Sequence, residues 1–112
     1  MPNIITRDEL MRAMSEDVIT LIEALPAAHY ATEHLPGAIN VPGELTAQDA
    51  ARIARDPHHT VVVYCSGPGC GRSTVAARAL IRAGYTDVRV YAGGKADWHA
   101  AGLPMERTAA AS

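Results

Sequence analysis

The feature that most constrains this chain is a β-branched run that ends on a cysteine. Thr60, Val61, Val62, Val63 and Tyr64 lead straight into Cys65-Ser66-Gly67-Pro68-Gly69-Cys70-Gly71-Arg72, after which a segment of helical character begins at Ser73. Apolar throughout, the run at 60–64 reads as a central parallel strand covered on both faces. From Ser73 to Ala83, the residues Val75, Ala76, Ala79, Leu80 and Ala83 recur at helical spacing, with Arg78 and Arg82 turned outward and Gly84 as the stop. A strand, a glycine-rich loop and a helix in that order place Cys65 at the carboxyl end of a strand, where open α/β sheets carry their sites.

The rest of the sequence supplies more units of the same kind. Thr6-Arg7-Asp8-Glu9 has the form of a capping box and predicts a helix to about Met14. Val18-Ile19-Thr20-Leu21-Ile22 predicts a buried strand. His34-Leu35-Pro36-Gly37 predicts a turn, followed by a short strand over 38–41. An Ala-rich helix opens at Thr46 and stops before Asp56-Pro57, because proline cannot continue a helix that needs its amide. Val88-Arg89-Val90-Tyr91 predicts a last strand, Gly93-Gly94 a turn, and 97–101 a helix halted by Gly102 and Pro104. Strands alternating with helices through short connections predict an α/β fold, a mainly parallel sheet of about five short strands with helices on both faces.

One domain over 1–106 with a flexible tail over 107–112 is the expectation, since 112 residues leave no room for a second core of similar size. Ten basic against twelve acidic residues give a net charge of -2, which disfavours nucleic acid or an anionic membrane as a partner. No apolar run approaches the roughly 20 residues that span a bilayer, and the first residues lack the pattern of a secretory signal, so the expected location is cytoplasmic. There is neither a dinucleotide fingerprint nor a Gly-Lys-Ser or Gly-Lys-Thr phosphate loop, and His58 and His59 do not complete a zinc-ligand pattern with Cys65 or Cys70. No cofactor and no metal are expected.

The loop between Cys65 and Ser73 has to curl. Its glycines permit positive φ and close approach, so that successive amides point into one concavity, to which the following helix adds its unpaired N-terminal amides. A thiol at the centre of such a cradle ionises more readily, and environments of this kind lower a cysteine pKa from about 8.5 to as low as roughly 3.5 to 7.5. Cys65 is therefore the candidate nucleophile, with Ser66, Gly67, Gly69, Cys70, Gly71, Arg72 and Ser73 as the candidate anion-binding loop. Cys70 is also a candidate resolving cysteine, able to attack a persulfide or sulfenic acid on Cys65 and leave a disulfide. Spacing alone does not show whether the two sulfurs meet, since a disulfide needs Cα atoms within about 4.4 to 6.8 Å.

The chain resembles the rhodanese-like sulfurtransferases over nearly its whole length. The likeness rests on His34-Leu35-Pro36-Gly37-Ala38-Ile39-Asn40-Val41-Pro42, on Val61-Val62-Val63-Tyr64-Cys65, on Arg72-Ser73 opening a helix, and on Gly93-Gly94 with Trp98 and Ala101-Gly102-Leu103-Pro104. It implies a three-layer rhodanese fold, with Cys65 taking sulfane sulfur as a persulfide from a donor such as thiosulfate and passing it to cyanide, a thiol or a sulfur-accepting protein. Two departures stand out. Six residues separate Cys65 from Arg72 where the sulfurtransferase pattern has four, and Glu23-Ala24-Leu25 stands where the family usually has Asp-Val-Arg. The longer loop keeps a phosphatase or arsenate reductase as an alternative, although the Cys-x5-Arg spacing of those relatives is not matched. The cysteine pair and the missing arginine keep a noncatalytic redox-sensing or binding module as another. His34 is expected to hold a turn, Trp98 to fill core, and the charges of Arg78, Arg82 and Arg89 to form a solvated face.

Overall fold

The computed structural model describes residues 2–16, 19–42 and 45–107. Five strands and five helices alternate among them: β1 (Asn3–Ile4), α1 (Arg7–Glu16), β2 (Thr20–Glu23), α2 (Ala27–Thr32), β3 (Ile39–Asn40), α3 (Ala47–Ile53), β4 (Val61–Tyr64), α4 (Arg72–Arg82), β5 (Val88–Tyr91) and α5 (Gly94–Ala100). All strand pairs are parallel, in the order β1-β5-β4-β2-β3. The valine run thus becomes the central strand, with Val61 to Tyr64 in register with Thr20 to Glu23 on one side and Val88 to Tyr91 on the other.

Alternation along β4 divides the core in two. Val61 and Val63 point to one face, where they pack with Ile22, Ala50, Ala76, Ala77 and Leu80 under α3 and α4. Val62 and Tyr64 point to the other, with Leu10, Leu21, Tyr91 and Trp98 under α1 and α5. This is the period-2 pattern of a strand covered on both sides, and it confirms the expected layers. Burying four consecutive residues of β4 completely removes enough apolar surface, at roughly 1.5–3 kcal/mol per side chain, to make this strand the most expensive one to disturb.

Local signals account for the helix starts. Thr6 and Glu9 exchange the two hydrogen bonds of the predicted capping box, at 3.2 and 2.9 Å, and α1 continues two residues past Met14 to Glu16. Thr46 and Asp49 form a second capping box at α3. At α4, Gly84 follows with φ 102°, and the Tyr85 amide returns to the Leu80 carbonyl at 3.1 Å. Trp98 is buried and donates to the Pro104 carbonyl at 2.9 Å, while His34 stacks on Tyr30 and uses Nδ1 on the Tyr30 carbonyl at 2.8 Å, both structural roles as expected.

Several expectations need correction. Val75 is 60% exposed and Ala83 is exposed as well, so the apolar stripe of α4 consists of Ala76, Ala77 and Leu80. β2 runs to Glu23, beyond the expected end at Ile22, and Val18 lies outside the described residues. α5 begins at Gly94, three residues before Asp97. Neither β1 nor α2 is foreseen by sequence pattern: the first has two residues and the second six, too few for a period to show. Residues 108–112 of the expected tail lie outside the described residues, and Glu106, the last residue of the expected domain, pairs with His34 through backbone bonds of 2.8 and 2.9 Å. Among the described residues, no helix is long and apolar enough to cross a membrane.

Candidate functional site

β4 delivers Cys65 to the carboxyl edge of the sheet, and the loop then folds back on itself. Gly67-Pro68-Gly69-Cys70 forms a β-turn in which the Cys70 amide donates to the Gly67 carbonyl at 3.1 Å and Gly69 has φ 89°. Proline in the second place presets φ, and glycine in the third alone accepts the positive φ without strain, so the Pro68-Gly69 pair dictates this reversal. The reversal carries Cys70 over Cys65. Their Cα atoms stand 6.4 Å apart and the two sulfurs are bonded. The question left open by spacing is answered by the turn.

The sulfur of Cys65 has further neighbours. It lies 3.4 Å from the Ser73 hydroxyl and 3.4 Å from the Cys70 carbonyl oxygen. A bonded sulfur carries no hydrogen, so the Ser73 hydroxyl is the donor in the first contact, and the same hydroxyl is placed to stabilise a thiolate once the disulfide opens. Ser73 is 3% exposed and stands in the first turn of α4, whose N-cap residue Gly71 offers no side-chain cap. The first-turn amides and the positive end of the helix dipole therefore lie beside Cys65. Arg72 is turned away: its guanidinium donates to the Pro42 carbonyl at 3.3 Å, at the rim of a groove of about 640 Å³ lined by Ala24, Leu45, Val75, Ala79 and Arg82. The exposed face of Val75 belongs to this groove.

The start of the loop is held from the other side of the sheet. The first turn of α5 donates the Lys95 amide to the Cys65 carbonyl at 3.0 Å and the Ala96 amide to the Ser66 carbonyl at 2.9 Å. Contact is so close that a Cβ on Gly94, which has φ 61°, would lie 2.5 Å from the Cys65 carbonyl oxygen and 2.8 Å from the Gly67 nitrogen. The Gly93-Gly94 turn is thus a seat for the loop.

Below that seat lies a buried charged cluster that sequence reasoning missed. Glu23, wholly buried at the end of β2, accepts from the Tyr64 hydroxyl at 2.8 Å and pairs with Lys95 Nζ at 3.1 Å, while its second oxygen has no hydrogen-bond partner among the described residues. Lys95 Nζ also donates to the His29 carbonyl at 2.8 Å, and the Tyr64 hydroxyl accepts the Leu35 amide at 3.0 Å. Burial, reinforced by Glu23, pushes the Tyr64 hydroxyl far above the ordinary tyrosine pKa, so it stays a proton donor. Leu25, where the family pattern has arginine, is simply buried; in this chain Lys95 brings the positive charge from α5 instead. The signal was present in Glu23, an acidic residue closing an apolar strand, but its partner is 72 positions away. Among the described residues, no group of three or more His, Cys, Asp and Glu is placed to hold a metal ion.

The rhodanese-like domain family matches residues 6–101, and the chain belongs to that family. It is 35% identical over 105 residues to the HTH-type transcriptional regulator Rv0324 of Mycobacterium tuberculosis, a match that covers 94% of this chain and 45% of the regulator. The chain thus spans less than half the length of that relative. A solved thiosulfate sulfurtransferase from Pseudomonas aeruginosa superposes with a TM-score of 0.83 at 27% identity, over 95% of this chain and 20% of that one. The BH2092 protein from Bacillus halodurans shares the fold with a TM-score of 0.84 at 24% identity, covering 95% of this chain and 77% of that one.

Proposed function

We propose that this chain is a rhodanese-type sulfurtransferase that carries sulfane sulfur as a persulfide on Cys65. The observation that supports this reading best is the placement of Cys65 at the end of the central strand, with the Ser73 hydroxyl 3.4 Å from its sulfur and the first turn of α4 beside it. With the disulfide reduced, the Cys65 thiolate attacks the outer sulfur of thiosulfate, the S–S bond of the donor breaks, and sulfite leaves with the electron pair. The persulfide left on Cys65 is an anion at neutral pH, suited to the Ser73 hydroxyl and the first-turn amides of α4. An acceptor nucleophile such as cyanide or a thiol then takes the outer sulfur, and the Cys65 thiolate is the leaving group. Arg72, on the rim with its guanidinium on the Pro42 carbonyl, supplies positive charge for the incoming anion.

The test is intact mass after treating the reduced protein with thiosulfate and removing the donor. A gain of about 32 Da that is lost on adding cyanide, with thiocyanate formed, is expected for Cys70→Ser, in which the persulfide has no internal competitor. No gain on Cys65→Ser is expected, and an equal gain on that variant would overturn the assignment.

A further inference from the structure

A persulfide on Cys65 has two possible fates, transfer of the outer sulfur to an acceptor or attack on the inner sulfur. The loop is built for the second. Pro68 and Gly69 fix a turn that returns Cys70 to Cys65, close enough for the sulfurs to bond. A plain sulfurtransferase loop needs no second cysteine, and a turn with positive φ at Gly69 leaves open space where a Cβ would stand, so packing does not explain the glycine. Cys65 is 2% exposed in this state, hence the bonded form presents no nucleophile to a donor.

We infer that the chain releases the transferred sulfur as hydrosulfide, with Cys70 as the internal reductant. This rests on the sulfurtransferase reading of Cys65. The Cys70 thiolate attacks Sγ of the Cys65 persulfide, whose outer sulfur takes up a proton from solvent to become the leaving group. A bond forms between the two cysteine sulfurs, the bond from Sγ to the outer sulfur breaks, and the outer sulfur leaves with the electron pair as HS⁻. The outer sulfur gains two electrons and the cysteine pair loses two. The product is the bonded state of the structure, and a dithiol reductant must return both thiols before another donor is accepted. Held on the same short loop, Cys70 reacts ahead of a dissolved thiol because no encounter has to be paid for in entropy. The chain therefore stands between a sulfane-sulfur donor and a dithiol, and its output is sulfide.

A single turnover without any external thiol tests this. Reduced protein, freed of reductant, is mixed with one equivalent of thiosulfate, and hydrosulfide, sulfite and intact mass are followed together. The wild type is expected to give one sulfite and one hydrosulfide per chain and to end about 2 Da lighter than its reduced form, with no retained sulfur. Cys70→Ser is expected to keep a gain of about 32 Da and to release no hydrosulfide. Gly69→Ala keeps both cysteines but strains the turn, so its hydrosulfide release is expected to slow by about tenfold while the gain of about 32 Da becomes visible as an intermediate. A wild type that retains the added sulfur with Cys70 free, or a Cys70→Ser protein that releases as much hydrosulfide as the wild type, overturns the inference and leaves the sulfurtransferase reading standing. If Cys70→Ser gains no sulfur from thiosulfate or from glutathione persulfide, the sulfurtransferase reading fails, and this one with it.

Discussion

Two neighbouring strands end at the same edge of the sheet and do opposite things there. β4 runs out into a loop whose shape is made by backbone alone, a Pro-Gly turn and hydrogen bonds from α5, and whose side chains are a pair of sulfurs able to change covalent partner. β2 ends on Glu23, fixed by Tyr64 and Lys95 inside the core on the face covered by α1 and α5. The difference separates work that must move from work that must not. Backbone turns specify position without fixing the side chains, so the Cys65 sulfur can exchange its covalent partner, whereas a buried ion pair is costly to open and suits a fixed seat. Lys95 links the two, since its side chain belongs to the buried cluster and its amide holds the Cys65 carbonyl.

The comparison breaks most visibly at Lys95. Lys95→Met retains much of the packing of the stem but leaves the buried Glu23 carboxylate without its cation, and is expected to lower unfolding free energy by about 3–5 kcal/mol in denaturant titration. The double variant Lys95→Met with Glu23→Gln is expected to recover a large part of that loss, because the stranded charge is gone. A Lys95→Met protein as stable as the wild type would show that the seat is held by the α5 backbone alone.

Tyr64→Phe comes next. It removes the hydroxyl that accepts from Leu35 and donates to Glu23, leaving the Leu35 amide unpartnered in the core and Glu23 with Lys95 alone, with an expected loss of about 2–3 kcal/mol. The pH dependence sharpens the result. Folded Tyr64 keeps its proton, through burial first and Glu23 second, at pH values where an unfolded tyrosine has lost it. Its folded pKa is raised, so its contribution is intact below the unfolded value of about 10 and is lost as pH rises above it. Wild-type stability is expected to fall steeply above about pH 10 and the Phe variant less steeply; Tyr30 and Tyr91, raised chiefly by their own burial, keep a residual slope.

How legible these two regions were follows from the range of their interactions. The Cys65 loop could be read because most of what shapes it is local: the valine run, Pro68-Gly69, the two cysteines and Ser73 lie within 14 residues, and only the amides of Lys95 and Ala96 reach it from α5. Most of the parallel sheet and its layers were equally plain, since β4 carries an unbroken valine run, β5 alternates Val88 and Val90 and α1 carries its cap in sequence, whereas β1 has only two residues. The Glu23 cluster was not legible, because Glu23, Tyr64 and Lys95 come from three separate elements that meet only when the sheet is assembled. Arg72 was read from its place before a helix, which fixes where its backbone lies but not that its guanidinium rests on Pro42. The outward turn of Val75 was misread because the small side chains of Ala76 and Ala77 already fill the contact of α4 with the sheet, at complete or near-complete burial.

Opening the disulfide should cost less than breaking the seat. The bond joins residues five apart, and closing so short a loop restricts the unfolded chain by only about 2 kcal/mol in the chain-entropy account. Thermal unfolding with and without reductant is expected to show a loss of that order in the wild type and none in Cys70→Ser. A larger loss would mean that the bond organises more of the molecule than its own loop, and the division between a movable and a fixed end would fail.

The smallest effect is expected at the opposite edge of the sheet, where Asp87 precedes β5. Hydrogen bonds from Arg89 hold its carboxyl below the ordinary aspartate range, and the Thr60 hydroxyl at 2.7 Å adds to this. A depressed folded pKa means that the contribution is present above the unfolded value of about 3.9 and is lost as pH falls through the folded one. Because the pair is open to solvent, water and salt screen it, and Asp87→Asn is expected to cost under about 1 kcal/mol at neutral pH, and still less in acid. The pair lies at the amino end of the parallel strands, opposite the Cys65 loop, so the variant is expected to form persulfide and release hydrosulfide at wild-type rates. A change in either rate would show that the amino-terminal edge of the sheet communicates with the site through β4, and would place Thr60, which meets Asp87 just before that strand, as the first residue to examine.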